Sequence, residues 1–431
     1  MRPNVVFILT DQQSADAMSC VGNDDLNTPA MDSLAQHGTV FRNAYCTQPL
    51  CSPSRASMLT GRVPHEMGVV GNEAGLTGAL REQQLGRLFA GAGYDCAYGG
   101  KWHLPGYDLD GDLGYDHIIG FGDDELAARC ADFLRAPRDR PFFLVASFDN
   151  PHNICEWARN EPLPWGGVAE VPTEQCPSLP ANFAAAPDEP QLLRIVRARF
   201  PRQHPTDGWS DDLWRQYRHA YYRLCERVDT QIGMVLDALR ESGHVEDTVV
   251  VLSSDHGDGM GAHHWNQKWA LYEEAVRVPF IVSWKGVTRP GHVDTDTLVS
   301  SGLDLLPTLC DYAGIEPPDG LRGHSVRPAA EGREHDGPAY VVTETSWDPA
   351  VLPHSRGRML RTARYKYVLY SWGQHREQLF DLHDDPGEMV NLVRDASHRD
   401  VLDEHRKLLA AWCDQTGDDF LDVRQRGEAN V

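Results

Sequence analysis

The chain has no apolar run approaching the ~20 residues that span a bilayer, which excludes a membrane-crossing helix. Its ten cysteines, scattered from Cys20 to Cys413, include no CxxC and no paired spacing. They fit free thiols in a reducing compartment better than a disulfide framework. Positive charge is scarce: 40 Lys and Arg stand against 63 Asp and Glu, a net charge of -23. A nucleic-acid binder needs a basic patch, so that class of partner is excluded, but a small anion is not. Charge is screened over ~8 Å at physiological salt, so a local cluster of cations can hold an anion inside an acidic protein. There is no internal repeat or low-complexity segment. The start, MRPNVVFILTDQQ, has one Arg and five consecutive apolar residues before Thr10 and Asp11, which reads as a buried strand rather than a signal peptide. The expectation is a cytoplasmic protein with no membrane partner if that N-terminus is native, and a periplasmic or secreted one if a leader has been removed.

What is present describes an ordinary globular protein: 41% hydrophobic and 24% charged residues, with 28 Pro and 38 Gly. At 431 residues it exceeds the usual size of a single core, so a large unit with a smaller one is expected. Four short apolar runs each end in polar residues. They are VVFIL (5–9) into Thr10-Asp11-Gln12, YDCAYGG (94–100) into Lys101-Trp102-His103, FFLVASF (142–148) into Asp149-Asn150-Pro151-His152, and TVVVLSS (248–254) into Asp255-His256-Gly257. Such runs suggest parallel strands buried on both faces, with ligands collecting beyond their carboxyl ends.

Between the third and fourth runs, Leu224, Val228, Ile232, Val235 and Leu239 mark one face of a helix over 212–243, stopped near Gly243. The aromatic stripe on this helix reads as core. Residues 155–210, rich in Pro and Trp, read as a long surface excursion able to wall a pocket. Later, AYVVTE (339–344) and the alternating RMLRTARYKYVLYSW (358–372) point to antiparallel strands. The expected division is a catalytic α/β unit over 1–350 and a smaller C-terminal α+β unit over 351–431.

The stretch CSPSRASMLTGR (51–62) raises the functional question, because it puts a cysteine where polarity suggests a loop. In a thiolate phosphatase the arginine follows six positions later, but residue 57 is Ser and the arginine is Arg55. A lone cysteine is ordinarily a packing residue. Its neighbours change that reading. Cys51-x-Pro53-Ser54-Arg55 with Thr60-Gly61-Arg62 resembles the signature of type I sulfatases, in the alkaline phosphatase superfamily. Further segments in the family's order extend the resemblance over essentially the whole chain: NVVFILTDQ, GGKWHL, the Pro151-His152 pair, SSDHG, the spacing of Gly261, His263 and Lys268, and QLFDLHDDPGE-x-x-NL.

The resemblance implies an alkaline phosphatase-like fold, a large, mostly parallel sheet between helices with an antiparallel sheet in the C-terminal unit. It also implies that a maturation enzyme oxidises Cys51 to Cα-formylglycine. Of the hydrated aldehyde's two hydroxyls, one attacks sulfur and the other collapses to expel sulfate, splitting one hard step into two easier ones. By resemblance Asp11, Gln12, Asp255 and His256 hold a divalent metal. Many relatives carry Asp and Asn where this chain has Gln12 and His256, so calcium is expected first, with Mn²⁺ or Mg²⁺ more credible than usual beside an imidazole. For an isolated Asp after a strand, a turn or helix cap is the plainer reading. Arg55 is expected to bind the hydrate, Lys101 and Lys268 to grip sulfate oxygens, His103 to act as base and His152 as acid to the leaving alcohol.

His263, His354, Arg356 and Trp372 are expected to bind substrate. Asp258, Glu273 and Glu274 read as solvated or supporting, and Trp102, Trp157, Trp265 and Trp269 as core, with one or two available to stack on a sugar ring. The reading is a sulfatase acting on a sulfated sugar of a polysaccharide or glycosaminoglycan. Phosphonate monoester or phosphodiester hydrolysis, and choline or aryl sulfatase activity, are the alternatives. A silent binding protein would be expected to have lost Cys51, Asp11 or Asp255, and all three are present. Oligomeric state is not legible in the sequence.

Overall fold

A computed structural model describes residues 2–105 and 113–422. The larger sheet contains β1 (Asn4–Asp11), β2 (Gly38–Tyr45), β3 (Asp95–Gly100), β4 (Asp116–Ile119), β5 (Phe142–Pro151), β6 (Thr248–Ser254), β7 (Phe280–Ser283) and β8 (His292–Ser300). Their order is β4-β3-β5-β1-β6-β7-β2-β8. β1 pairs in parallel with β5 and β6, and β3 with β5, so the four runs of the sequence are neighbours at the centre of one sheet. β7 runs antiparallel to both β6 and β2.

Every residue of β1 is buried, which explains its unbroken apolar run. Val5, Phe7 and Leu9 face one core and Val6 and Ile8 the other, because successive side chains leave a strand on opposite sides. The helix Asp211–Glu241 covers the second core with Val228, Ile232, Val235 and Leu239. Leu224, further up the same face, belongs to a third cluster with Trp214, Tyr217 and Tyr221, against which Trp157, Phe183 and Trp209 of the excursion pack. A cavity of about 710 Å³ lies between that excursion and the helix start, lined by Phe183, His204, Trp209, Trp214 and His264 among others. No helix among the described residues is long and apolar enough to cross a membrane.

A second sheet is antiparallel, in the order β12-β11-β10-β9, from β9 (Tyr340–Ser346), β10 (Arg356–Thr362), β11 (Tyr365–Tyr370) and β12 (Glu377–Asp381). Thus β9, which a division at 350 leaves with the larger unit, pairs inside the smaller sheet. One face of this sheet packs on the helix Arg399–Thr416 through Leu402, Leu409 and Trp412. The other places Met359, Val368 and Tyr370 in the main core. Thr343 Oγ1 and the Glu344 amide donate to the carbonyls of Cys46 and Thr47 at 2.6 and 2.7 Å, so the smaller sheet braces the chain leading to Cys51.

Candidate active site

Asp11 and Asp255 end the paired strands β1 and β6, whose register sets Thr10 opposite Ser254. Their carboxylates therefore meet at one sheet edge. Cys51 is the first residue of the helix Cys51–Thr60, and every side chain of that helix is buried. The expectation of a loop is corrected here. Pro53 is tolerated in a first helical turn, where amides lack intrahelical partners, and the serines find distant acceptors. Ser52 Oγ donates to the His103 carbonyl and Ser54 Oγ to the Asp255 carbonyl, both at 2.5 Å.

Arg55 joins the two strands. Its Nε donates to Asp255 at 2.8 Å, Nη2 to Asp11 at 3.1 Å, and Nη1 to the Lys101 carbonyl and Ser147 Oγ at 2.7 and 2.8 Å. Lys101 Nζ bridges Asp11 at 2.6 Å and Asp149 at 2.9 Å. Lys268 Nζ lies 3.3 Å from Cys51 Sγ and 3.0 Å from Gln12 Oε1. Burial alone would raise the Asp11 carboxyl, but Lys101, His152, Arg55 and Lys268 hold it well below the usual carboxylate range. Asp255 is displaced the other way, by burial and by the charge of Asp11. Burial and Asp11 oppose ionisation of Cys51, yet Lys268, Lys101 and His256 bring the thiol well below its ordinary value.

Asp11, Cys51, Asp255 and His256 each offer an atom within 4.8 Å of the others, and all four are buried. His256 Nδ1 lies 2.9 Å from the Gly257 carbonyl, to which it must donate. Nε2 faces Cys51 Sγ at 3.4 Å and the Asp11 and Asp255 oxygens at 3.9 and 3.7 Å. Against burial, Asp255 and Cys51 raise the imidazole above its ordinary value, so positive charge is favoured at Nε2; a divalent ion can take the place of a proton there, and the residues present fit one. Gln12 stands beside this set with its amide oxygen on Lys268 and its nitrogen on Asp258, 2.8 Å away. Oxygens with one nitrogen suit Ca²⁺, Mg²⁺ or Mn²⁺.

The remaining expected residues divide. His152 has a partly exposed ring with Nδ1 4.0 Å from Asp149. His103 is exposed and enters the site through its backbone. His263, expected to touch substrate, is packed inside the protein in this structure. It is fully buried, stacks on Tyr272 with ring centroids 4.0 Å apart, and is pushed down to about 3 by burial and Lys366. It also groups with Glu274 and Glu388. Arg356 is committed to Asp419 at 2.6 Å, Trp372 Nε1 to Ser355 at 2.9 Å, and the His354 carbonyl accepts from Ser371. These partners all lie in the C-terminal unit, so the set is not gathered at Cys51.

Asp258 and Glu273 are buried rather than solvated. Asp258 accepts from Gln12 and from Tyr217 Oη, and Tyr221 Oη donates to the Gln12 carbonyl, so the aromatic stripe of the long helix steadies the site through its hydroxyls. Trp265 is fully buried with Nε1 on the Lys268 carbonyl at 2.9 Å, which fixes the lysine's backbone and leaves no ring face free. The sequence reading gave no role to Asp149, the partner of Lys101. Its position at the end of an apolar strand, like Asp11 and Asp255, was the available signal.

The sulfatase family model matches residues 3–315, and a model described as N-sulphoglucosamine sulphohydrolase, C-terminal, matches residues 261–415. The chain is similar to a Δ4,5-hexuronate-2-O-sulfatase of Bacteroides thetaiotaomicron, 32% identical over 98% of this chain and 91% of that protein. It superposes on the structure of a 2-O GAG sulfatase with a TM-score of 0.87, at 30% identity over 98% of this chain and 94% of the other. A phosphonate monoester hydrolase of Agrobacterium radiobacter shares the fold, with a TM-score of 0.80 at 22% identity over 98% of this chain and 97% of the other.

Proposed function

The chain belongs to the sulfatase family and is a sulfuric ester hydrolase, and from that premise we propose that it removes sulfate from a sugar, a hexuronate 2-sulfate or a related glycosaminoglycan fragment. The names of the relative and of the superposed structure support the sugar. The observation that carries the chemistry is Lys268 beside Cys51 Sγ, with Lys101 on the adjoining Asp11. Two buried ammonium groups so placed can receive sulfate oxygens and strengthen their hold as charge develops in the transition state.

Matured to Cα-formylglycine, position 51 supplies a hydrated aldehyde as nucleophile. A divalent ion held by Asp11, Asp255, His256 and the Gln12 amide oxygen supplies positive charge beside it, calcium being our first assignment. Arg55 favours the ionised form of both carboxylates against their burial and aims them, and Lys101 and Lys268 orient the sulfate. His152, with Nδ1–H turned to Asp149, would in its doubly protonated form deliver the Nε2 proton to the departing sugar oxygen. By the family resemblance His103 would be the base toward position 51, its backbone carbonyl lying on Ser52 beside that residue.

The test is sulfate release from defined sulfated monosaccharides and disaccharides, with nitrophenyl sulfate and an aryl phosphonate as controls. Turnover of a uronate 2-sulfate well above other positional isomers supports the reading. Faster hydrolysis of the phosphonate, or no sulfated sugar cleaved while the aryl sulfate is, overturns it.

A further inference from the structure

Phe121 is 64% exposed and is the one exposed Phe, Tyr or Trp among the described residues. Single exposed apolar residues are common and need no explanation by themselves. The position of this one is what matters. Its ring centroid lies 5.9 Å from Lys101 Nζ, the ammonium that bridges Asp11 and Asp149 beneath it. A sulfate ester held by Lys101 has its acidic end buried, so its alcohol must extend outward past this ring.

Phe121 is held from two directions. Asp123, two residues on, accepts hydrogen bonds from the backbone amides of Asp149 and Asn150 at 2.7 and 2.8 Å and from Asn150 Nδ2 at 2.9 Å. The turn carrying the ring thus hangs from the strand end that carries Asp149 and leads to His152. Behind the ring, Trp165 lies with its centroid 5.9 Å away and its plane tilted by 50°. The loop bearing Trp165 is fixed in turn, because Arg227 of the long helix donates to the Gly166 and Gly167 carbonyls, both at 2.9 Å. Both aromatics are therefore in place before any ligand arrives.

We propose that Phe121, backed by Trp165, is the platform on which the ring of the leaving alcohol lies, and that it selects cyclic over acyclic sulfate esters. This rests on the sugar-sulfate reading for the kind of ring, a pyranose with an apolar C–H face. An aromatic ring supplies apolar area for that face, while the polar groups around it fix orientation. Phe121 is a specificity-determining residue. It touches the alcohol and takes no part in proton transfer.

Matured wild-type protein, Phe121→Ala and Phe121→Trp are compared on a uronate 2-sulfate, nitrophenyl sulfate and isopropyl sulfate, a secondary alkyl sulfate without a ring. With Phe121→Ala, kcat/KM on the sugar sulfate is expected to fall about 5- to 10-fold further than on isopropyl sulfate, the span of one aromatic contact, with the difference carried by KM. Phe121→Trp is expected to restore the preference. Equal losses on cyclic and acyclic esters, or no loss on a sugar that the wild type cleaves, overturn the platform. If the wild type cleaves nitrophenyl sulfate and no sugar, the sugar reading fails, and the nitrophenyl-to-isopropyl ratio alone decides whether Phe121 receives a ring.

Discussion

Arg55 Nε meets an Asp255 carboxylate oxygen at 2.8 Å with the two side chains only 2% and 0% exposed, so neither charge has water as an alternative partner. The same guanidinium reaches Asp11. Arg55→Ala therefore leaves two buried carboxylates short of a cation. We expect a loss of about 3–5 kcal/mol of folding stability in the metal-free protein, the usual result of breaking one side of a buried pair. Urea denaturation measures it, and Arg55→Lys should recover only part, since an ammonium cannot span both strands with a planar fork. A loss below about 1 kcal/mol would show that the carboxylates do not depend on Arg55.

Removal of the divalent ion should both stop turnover and lower the melting temperature, because an ion bound only to the folded protein stabilises it by mass action. Readdition of Ca²⁺, Mg²⁺ and Mn²⁺ in turn should rank them by recovery of both signals. Asp255→Asn should shift the metal concentration needed for recovery upward. An enzyme indifferent to chelator, and free of divalent metal on elemental analysis, would refute the assignment of Asp11, Gln12, Asp255 and His256.

His204 provides a pH-dependent term away from the metal ligands. It is buried, its Nδ1 lies 3.0 Å from Asn266 Oδ1 and its Nε2 has no hydrogen-bond partner among the described residues, and burial pushes it down to about 4. Its folded value lies below the unfolded ~6.5, so between the two the unfolded chain binds more protons. Stability from this group is complete above pH ~6.5 and is lost as pH falls toward about 4. At pH 5 the loss relative to pH 7 should be about 2 kcal/mol, and His204→Phe should remove that difference. Unfolding curves of both proteins at the two pH values would reveal a charged His204 if the acid loss were the same in each.

The central strands were legible because parallel strands covered on both faces must be apolar throughout, and Asp11 and Asp255 were legible as the polar residues that end them. The helical state of Cys51 was not. Its serines satisfy their buried hydroxyls on carbonyls of His103 and Asp255, partners 51 and 201 positions away in the chain. Asp123 and Phe121 gave no local sign either, since their roles depend on how the turn before the helix Asp123–Arg135 hangs on β5. Arg356 and Trp372 suited an anionic sugar by residue type, but type alone could not reveal that Asp419 and Ser355 engage them.

Cys51 should be found as the aldehyde in the peptide spanning residue 51 when the protein is co-expressed with a formylglycine-generating enzyme. Mass spectrometry reads this directly. Cys51→Ala should abolish turnover while costing little stability, because it removes one small buried sulfur from the first turn of a helix. Retained turnover in that variant would end the assignment of residue 51 as nucleophile.

His152→Ala should distinguish proton donation from sulfate binding. The ring is partly exposed and its Nδ1 is turned to Asp149, so in the imidazolium Nε2–H remains for the departing oxygen. A sugar hydroxyl is a poor leaving group that needs a proton in the transition state, whereas nitrophenolate leaves unaided. General acid catalysis typically contributes 10²–10⁴-fold. The loss of kcat/KM on a sulfated sugar should therefore exceed the loss on nitrophenyl sulfate by at least ~10-fold. Were His152 only a ligand to sulfate oxygens, both substrates would suffer alike, because the transferred group is the same. Equal losses would move the acid role to Lys268, whose Nζ is the other proton donor beside Cys51, and no loss on either would leave His152 as a residue of the pocket wall.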